Sequence, residues 1–303
     1  MLASARHSHN LDRLRLVAIT DIVLYHVNYF EPRYLLGLGL PTFLVSATML
    51  GCAHVKPRRW RDVTGPRVRR IVLPWLFWSG VYGVSLGLRE AMFNEWRVWY
   101  RPFEPLMLAY GTAIHLWFLP FIFVAALAVR GLHGLTWRAD WRLVVGGGLA
   151  AGAVAACIPS PLSWVFPWES WWFAFPCMPL GLALGRLIAE GQLQHPWTLM
   201  LAVAAAVLGG FYCVEHGLSP PIGRFALATA LIVLALWFPS WPDPVTTRLT
   251  PLVYGVFLIH PLLLLLTHDV VREPSYALLA VTGLAGSAGV IALLRRTPLR
   301  AVT

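Results

Sequence analysis

Residues Leu11 to Phe30 read LDRLRLVAITDIVLYHVNYF, an apolar run that nevertheless carries Asp12, Arg13, Arg15, Asp21 and His26. Read as a membrane-crossing helix, it separates Arg15 from His26 by roughly 16 Å of rise and a net rotation of only about 20°. One face of one helix then presents a guanidinium near one membrane boundary and an imidazole well inside. Ionisable groups inside a bilayer are costly, so a functional site is the default reading. The plain alternative is an anchoring arginine and a neutral histidine bonded to a neighbouring helix. Asp21 is turned about 140° from His26 and is expected to meet a different span.

The composition around this stretch fixes the class. Of 303 residues, 58% are hydrophobic and only 13% are charged, and the mean hydropathy is +0.65. Soluble domains carry about a quarter charged residues, so an all-α, polytopic membrane protein is expected. Ten transmembrane helices are read at 13–31, 35–53, 69–88, 115–130, 142–158, 171–188, 198–214, 222–238, 251–268 and 275–294, each matched to about 30 Å of hydrocarbon. Spans and short loops use up the chain, so a single domain over 1–303 is expected, and the polar N-terminus implies no cleavable signal peptide.

The net charge of +10 is explained by topology. With both termini in the cytoplasm, 18 of the 24 Lys and Arg fall in inside segments, and Arg33, Arg89, Arg97, Arg101, Arg224 and Arg272 fall outside. That asymmetry is the positive-inside pattern, and no nucleic-acid partner is needed to explain it. Cys52, Cys157, Cys177 and Cys213 lie in or beside apolar runs without paired spacing, which reads as small core residues. No metal is expected, since no Cys/His ligand spacing occurs. Phosphate loops, dinucleotide glycine patterns and nucleophile elbows are likewise missing from the sequence.

Three further clusters stand out. The loop 54–70, HVKPRRWRDVTGPRVRR, holds Lys56, Arg58, Arg59, Arg61, Arg67, Arg69 and Arg70. Arg67 and Arg70 are three apart and would share a helix face, where two planar forks of donors suit a phosphate. Topogenic charge and attraction to anionic lipid are the alternative. His115-Leu116-Trp117-Phe118-Leu119 opens the fourth span in the same membrane half as His26, and Tyr254 to Pro261, YGVFLIHP, puts His260 inside the ninth. Singly, each histidine reads as a satisfied core residue, but three in one bundle ask for a common reason. The outer loops 89–114 and 159–173 carry Trp96, Trp99, Tyr100, Trp164, Trp168, Trp171 and Trp172, which read as an interfacial aromatic belt with a sugar-stacking platform as the alternative.

Taken together these blocks resemble the acyltransferase family 3 membrane proteins, bacterial O-acyltransferases of carbohydrates and other envelope or secondary-metabolite acceptors. The signature of an acidic residue, an arginine and, after ten intervening residues, a histidine is present as Asp12, Arg15 and His26. The paired-arginine block stands at Arg67 to Pro74, followed by the His-Leu-Trp-Phe-Leu block and the Tyr254 to Pro261 block. Two departures are visible: Ser46 is kept where the family has Ser-Gly-Phe, and Arg13 replaces a glycine. The resemblance implies an acyl-CoA donor, with acetyl-CoA the first expectation, bound from the cytoplasm on Arg67, Arg69 and Arg70 with Arg15 at the mouth. It implies His26 as general base beside Asp12 and Arg15, with Ser46, His115, Trp117, Tyr254 and His260 on the acceptor side. The expected partners are acyl-CoA, a carbohydrate or other hydroxyl acceptor, and the lipid bilayer of a bacterial inner membrane. The rival class is a proton-coupled transporter or flippase using Asp21, His26, His115 and His260 as a relay.

Overall fold

The computed structural model describes residues 8–27, 37–53, 60–93, 106–159, 166–216, 221–271 and 273–303. Lys56, Arg58 and Arg59 of the basic loop, and Trp96, Trp99, Tyr100 and Trp164, lie outside them. Among the described residues every regular element is helical. In chain order these are α1 (His9–Val27), α2 (Gly39–Cys52), α3 (Trp60–Arg67), α4 (Leu73–Phe93), α5 (Met107–Tyr110), α6 (Phe118–Thr136), α7 (Trp141–Cys157), α8 (Trp168–Ala174), α9 (Cys177–Ala189), α10 (Pro196–His216), α11 (Pro221–Trp237), α12 (Pro244–Leu249), α13 (Val253–Val270), α14 (Tyr276–Val281) and α15 (Ser287–Leu294).

Several of these join end to end. A π-turn at Val68–Val72 fuses α3 to α4, and a second at Thr282–Gly286 fuses α14 to α15. Six of the resulting helices are long and apolar enough to cross a membrane: 64–92, 114–136, 168–189, 196–216, 244–270 and 276–294. The chain is therefore a multi-pass membrane protein, but length and composition do not by themselves carry the expected count of ten. Helices α2, α7 and α11 have 14, 17 and 17 residues, the first only about 21 Å long. Helix α1 has 19 residues but carries four charges.

Exposure separates the inner helices from the outer ones. Helix α13 buries a continuous run from Val253 to Pro261, with only Tyr254 partly exposed. Helices α10 and α4 instead turn Met200, Val207, Phe211 and Leu76, Val84, Leu88 outward, the apolar surface that lipid covers. Helix α1 packs against α2, α13 and α11, and α2 packs against α9 and α6. The α2–α9 contact is a close backbone approach. A Cβ at Gly185 would stand 2.7 Å from Cys52 Cβ, one at Gly181 would run into Thr48, and the Thr48 hydroxyl donates to the Cys177 carbonyl at 2.7 Å. Small residues four apart let membrane helices pack this tightly, because lipid supplies no hydrophobic force to hold them together.

Candidate active site

Asp21 fixes how α1 meets α2. Its Oδ2 accepts from the Gly39 N–H at 2.7 Å, so the carboxylate occupies the positive end of α2, whose first amides have no partner within the helix. The different span expected for Asp21 is thus α2. The contact holds α1 and α2 as one unit and sets the face on which His26 lies.

His26 sits one turn beyond Ile22, and its Nδ1 is 2.8 Å from the Ile22 carbonyl and 3.2 Å from His260 Nε2. A carbonyl only accepts, so His26 Nδ1 carries the proton. His260 Nδ1 is 3.0 Å from the Val256 carbonyl and must also carry its proton. Neutral His260 then offers the Nε2 lone pair to His26. Both tautomers follow from the geometry, and the lone pair of His26 is on Nε2.

Pro261 follows His260 inside α13, which continues as a helix to Val270. Proline has no N–H to give to the carbonyl one turn back. Beside it the Tyr82 hydroxyl of α4 accepts from the Leu262 N–H at 3.2 Å and donates to the Leu258 carbonyl at 2.9 Å. The Tyr82 ring touches His115, with centroids 4.8 Å apart, and His115 stands 6.1 Å from His260 and 6.2 Å from Phe257. His115 is buried in a 3₁₀ turn, Ile114–Trp117, with neither ring nitrogen hydrogen-bonded. That turn is aimed by Gly111 at φ +82°, which ends α5 in a conformation few other residues adopt. The three histidines predicted in one bundle therefore form one cluster.

Two cavities lie side by side here, and the larger of them reaches the cluster. The larger, about 450 Å³, is lined by His26, His115, Trp117, Asp21, Glu169 and Arg224 among others. The smaller, about 270 Å³, is lined by Arg15, Tyr254, Phe43 and Thr250. Ile22, Leu40, Phe118 and Phe257 belong to both walls, so one apolar partition separates Arg15 from His26. Arg15 pairs with Asp12 at 2.9 Å. The Tyr254 hydroxyl is buried without a hydrogen-bond partner.

Other candidates lie apart. Ser46 is buried in α2 and lines neither cavity, and His260 stands behind His26. Arg67 is half-buried beside Gly51, whereas Arg69 and Arg70 are exposed. A π-turn, Val68–Val72, follows directly on Arg67 and holds Arg69 and Arg70.

A sequence comparison matches the profile of an acyltransferase domain to residues 8–296. The chain belongs to acyltransferase family 3. Nothing among proteins of curated function, and nothing among solved structures, matches it. In this acyltransferase-family chain the cluster and the larger cavity also contain residues that sequence reasoning passed over. Tyr82 gave no signal, since its partner is a carbonyl in a distant helix. Glu169 was hidden among the tryptophans of its loop. Arg224 was counted only as an outside charge, although a lone arginine just inside an apolar run is itself a marker.

Proposed function

We propose that the protein is an O-acyltransferase that uses acyl-CoA, with acetyl-CoA the simplest donor, and that His26 Nε2 is its general base. The observation that carries this reading is the shared wall between the two cavities, together with the tautomer of His26. The donor's phosphates would meet Arg67, Arg69 and Arg70 in the cytoplasm. Its pantetheine arm would pass Arg15 and Tyr254 along α1 towards His26, a rise of about 16 Å. The acceptor, a carbohydrate or another hydroxyl compound, would enter the larger cavity from the opposite side.

In the transfer, the acceptor oxygen attacks the thioester carbonyl carbon while its proton passes to His26 Nε2. The carbon–sulfur bond breaks, and the leaving thiolate takes up a proton to become free coenzyme A. His260 accepts from His26 Nδ1–H and supports the charge that His26 gains. This reading includes ten membrane crossings, both termini in the cytoplasm of a bacterium, and one domain spanning the chain.

The test is binding of coenzyme A and acetyl-CoA to the purified protein by calorimetry. Saturable binding that Arg67→Ala weakens and His26→Ala keeps supports the reading. A folded protein that binds neither removes it. The second reading, a proton-coupled transporter or flippase, rests on the ring contacts that join His26, His260, His115 and Tyr82, and predicts pH-driven uptake without acyl-CoA.

A further inference from the structure

Arg224 lies near the start of α11, half-buried on the wall of the larger cavity. Its guanidinium stacks on Phe173, 4.8 Å from the ring centroid. The turn at Gly37 closes the other side, where a Cβ would approach Nη1 to 3.6 Å. Its Nε is buried without a hydrogen-bond partner; among the described residues no carboxylate lies within ion-pair distance of it, and Asp21 attracts it from further off. Asp21 lines the same cavity, but its Oδ2 is held by the Gly39 amide. Glu169 lines the cavity from an exposed position.

A guanidinium held among apolar groups is costly unless an anion or several acceptors meet it. Stacking on Phe173 occupies the face of the group and leaves its in-plane N–H donors for another partner at the cavity wall. A planar fork of donors matches a carboxylate or phosphate at two points, whereas a neutral hydroxyl uses one donor at a time.

We propose that Arg224 binds an oxyanion of the acceptor, a carboxylate or phosphate carried by the molecule whose hydroxyl is presented to His26. The proposal rests on the acyltransferase reading of this cavity, and it narrows the acceptor to an acidic hydroxyl compound such as a uronic acid or a sugar phosphate.

The experiment is calorimetric titration of the purified protein with D-glucose, D-glucuronate and D-glucose 6-phosphate, alongside acetyl-CoA. At least one charged sugar is expected to bind about tenfold or more tightly than glucose, and which one does so separates carboxylate from phosphate. In Arg224→Gln the preference is expected to collapse, and in Arg224→Lys to survive in part. Should Arg224→Gln fail to fold, the comparison of wild type with Arg224→Lys carries the test. Equal affinity for neutral and charged sugars, a preference that persists in Arg224→Gln, or no sugar binding at all overturns the proposal. Acetyl-CoA binding without a charged-sugar preference overturns it alone. A preference lost in Arg224→Gln without acetyl-CoA binding keeps the oxyanion site and removes the acyltransferase reading.

Discussion

Replacing His26 by alanine is expected to lower turnover by about 10²–10⁴-fold, the usual contribution of a positioned base, while acetyl-CoA binding is retained. Loss of both together would make His26 a structural residue. His260 gives a sharper test because its two nitrogens have different partners. A glutamine oxygen reaches the place of Nε2 and an asparagine oxygen only that of Nδ1. His260→Gln is expected to stay within about tenfold of wild-type kcat, whereas His260→Asn loses about as much as removing the base. Equal losses, with unchanged pH profiles, would mean that His260 only fills space. Of the residues in this cluster, His26, His115 and His260 were legible in the sequence because imidazoles inside apolar runs are conspicuous. Tyr82 was not, because a tyrosine there reads as an ordinary aromatic.

At the scale of the element, the turn of α13 around Pro261 is tied to a residue of α4. Tyr82→Phe removes the hydroxyl that joins the Leu262 N–H to the Leu258 carbonyl and is expected to cost about 1–3 kcal/mol, the penalty for stranding a buried polar group. Thermal unfolding of the variant checks this, and an unchanged midpoint would mean that water or the helix itself takes over both groups. The α2–α9 contact is expected to be as sensitive. Gly185→Leu forces its side chain against Cys52 and Met49 and should lower stability by at least about 1–3 kcal/mol. Gly181 and Gly185 can be read in the sequence as a small-residue pair, but the helix they face cannot. The N-terminus of α12 is fastened differently. Asp243 accepts from the Thr246 amide at 2.8 Å and pairs with Arg13 at 3.1 Å, and these partners, Thr246 foremost, hold its carboxyl at about 2. A depressed pKa stabilises the fold above the ordinary carboxylate value of about 4 and stops doing so as pH falls towards 2. The stability gap between wild type and Asp243→Asn should therefore be constant from neutral pH to about 5 and shrink as pH falls from about 4 towards 2. A gap unaffected by acid would rule out the charge as its source.

For the whole molecule, the expected topology places the C-terminus in the cytoplasm and the loop before α8 outside. Cysteine labelling checks both, on a background lacking the exposed Cys157. Glu169→Cys should react in intact cells, and Arg300→Cys only after permeabilisation. The reverse pattern would turn the chain over and put the Arg224 cavity on the cytoplasmic side. The pair of cavities makes a second demand. Bulk added to their common partition, as in Leu40→Trp, should slow acyl transfer while leaving binding on the arginine side intact, and equal loss of both would mean that the two spaces do not communicate.

The sequence by itself determined that this chain is a helical membrane protein of acyltransferase family 3, because hydropathy and charge bias are local quantities summed along the chain and the family's blocks are short contiguous motifs. It also marked His26, His115 and His260, since an ionisable group in an apolar run needs no partner to be noticed. Tertiary structure alone decided that His260 stands behind His26, that Asp21 caps α2, that Tyr82 bridges the Leu258 carbonyl and the Leu262 N–H across Pro261, and that Arg224 lines the same cavity. Those facts are distances between residues of different helices, such as the 3.2 Å between His26 and His260. The offsets at which helices pack are set by glycine contacts and interhelical hydrogen bonds whose partners lie far away in the chain.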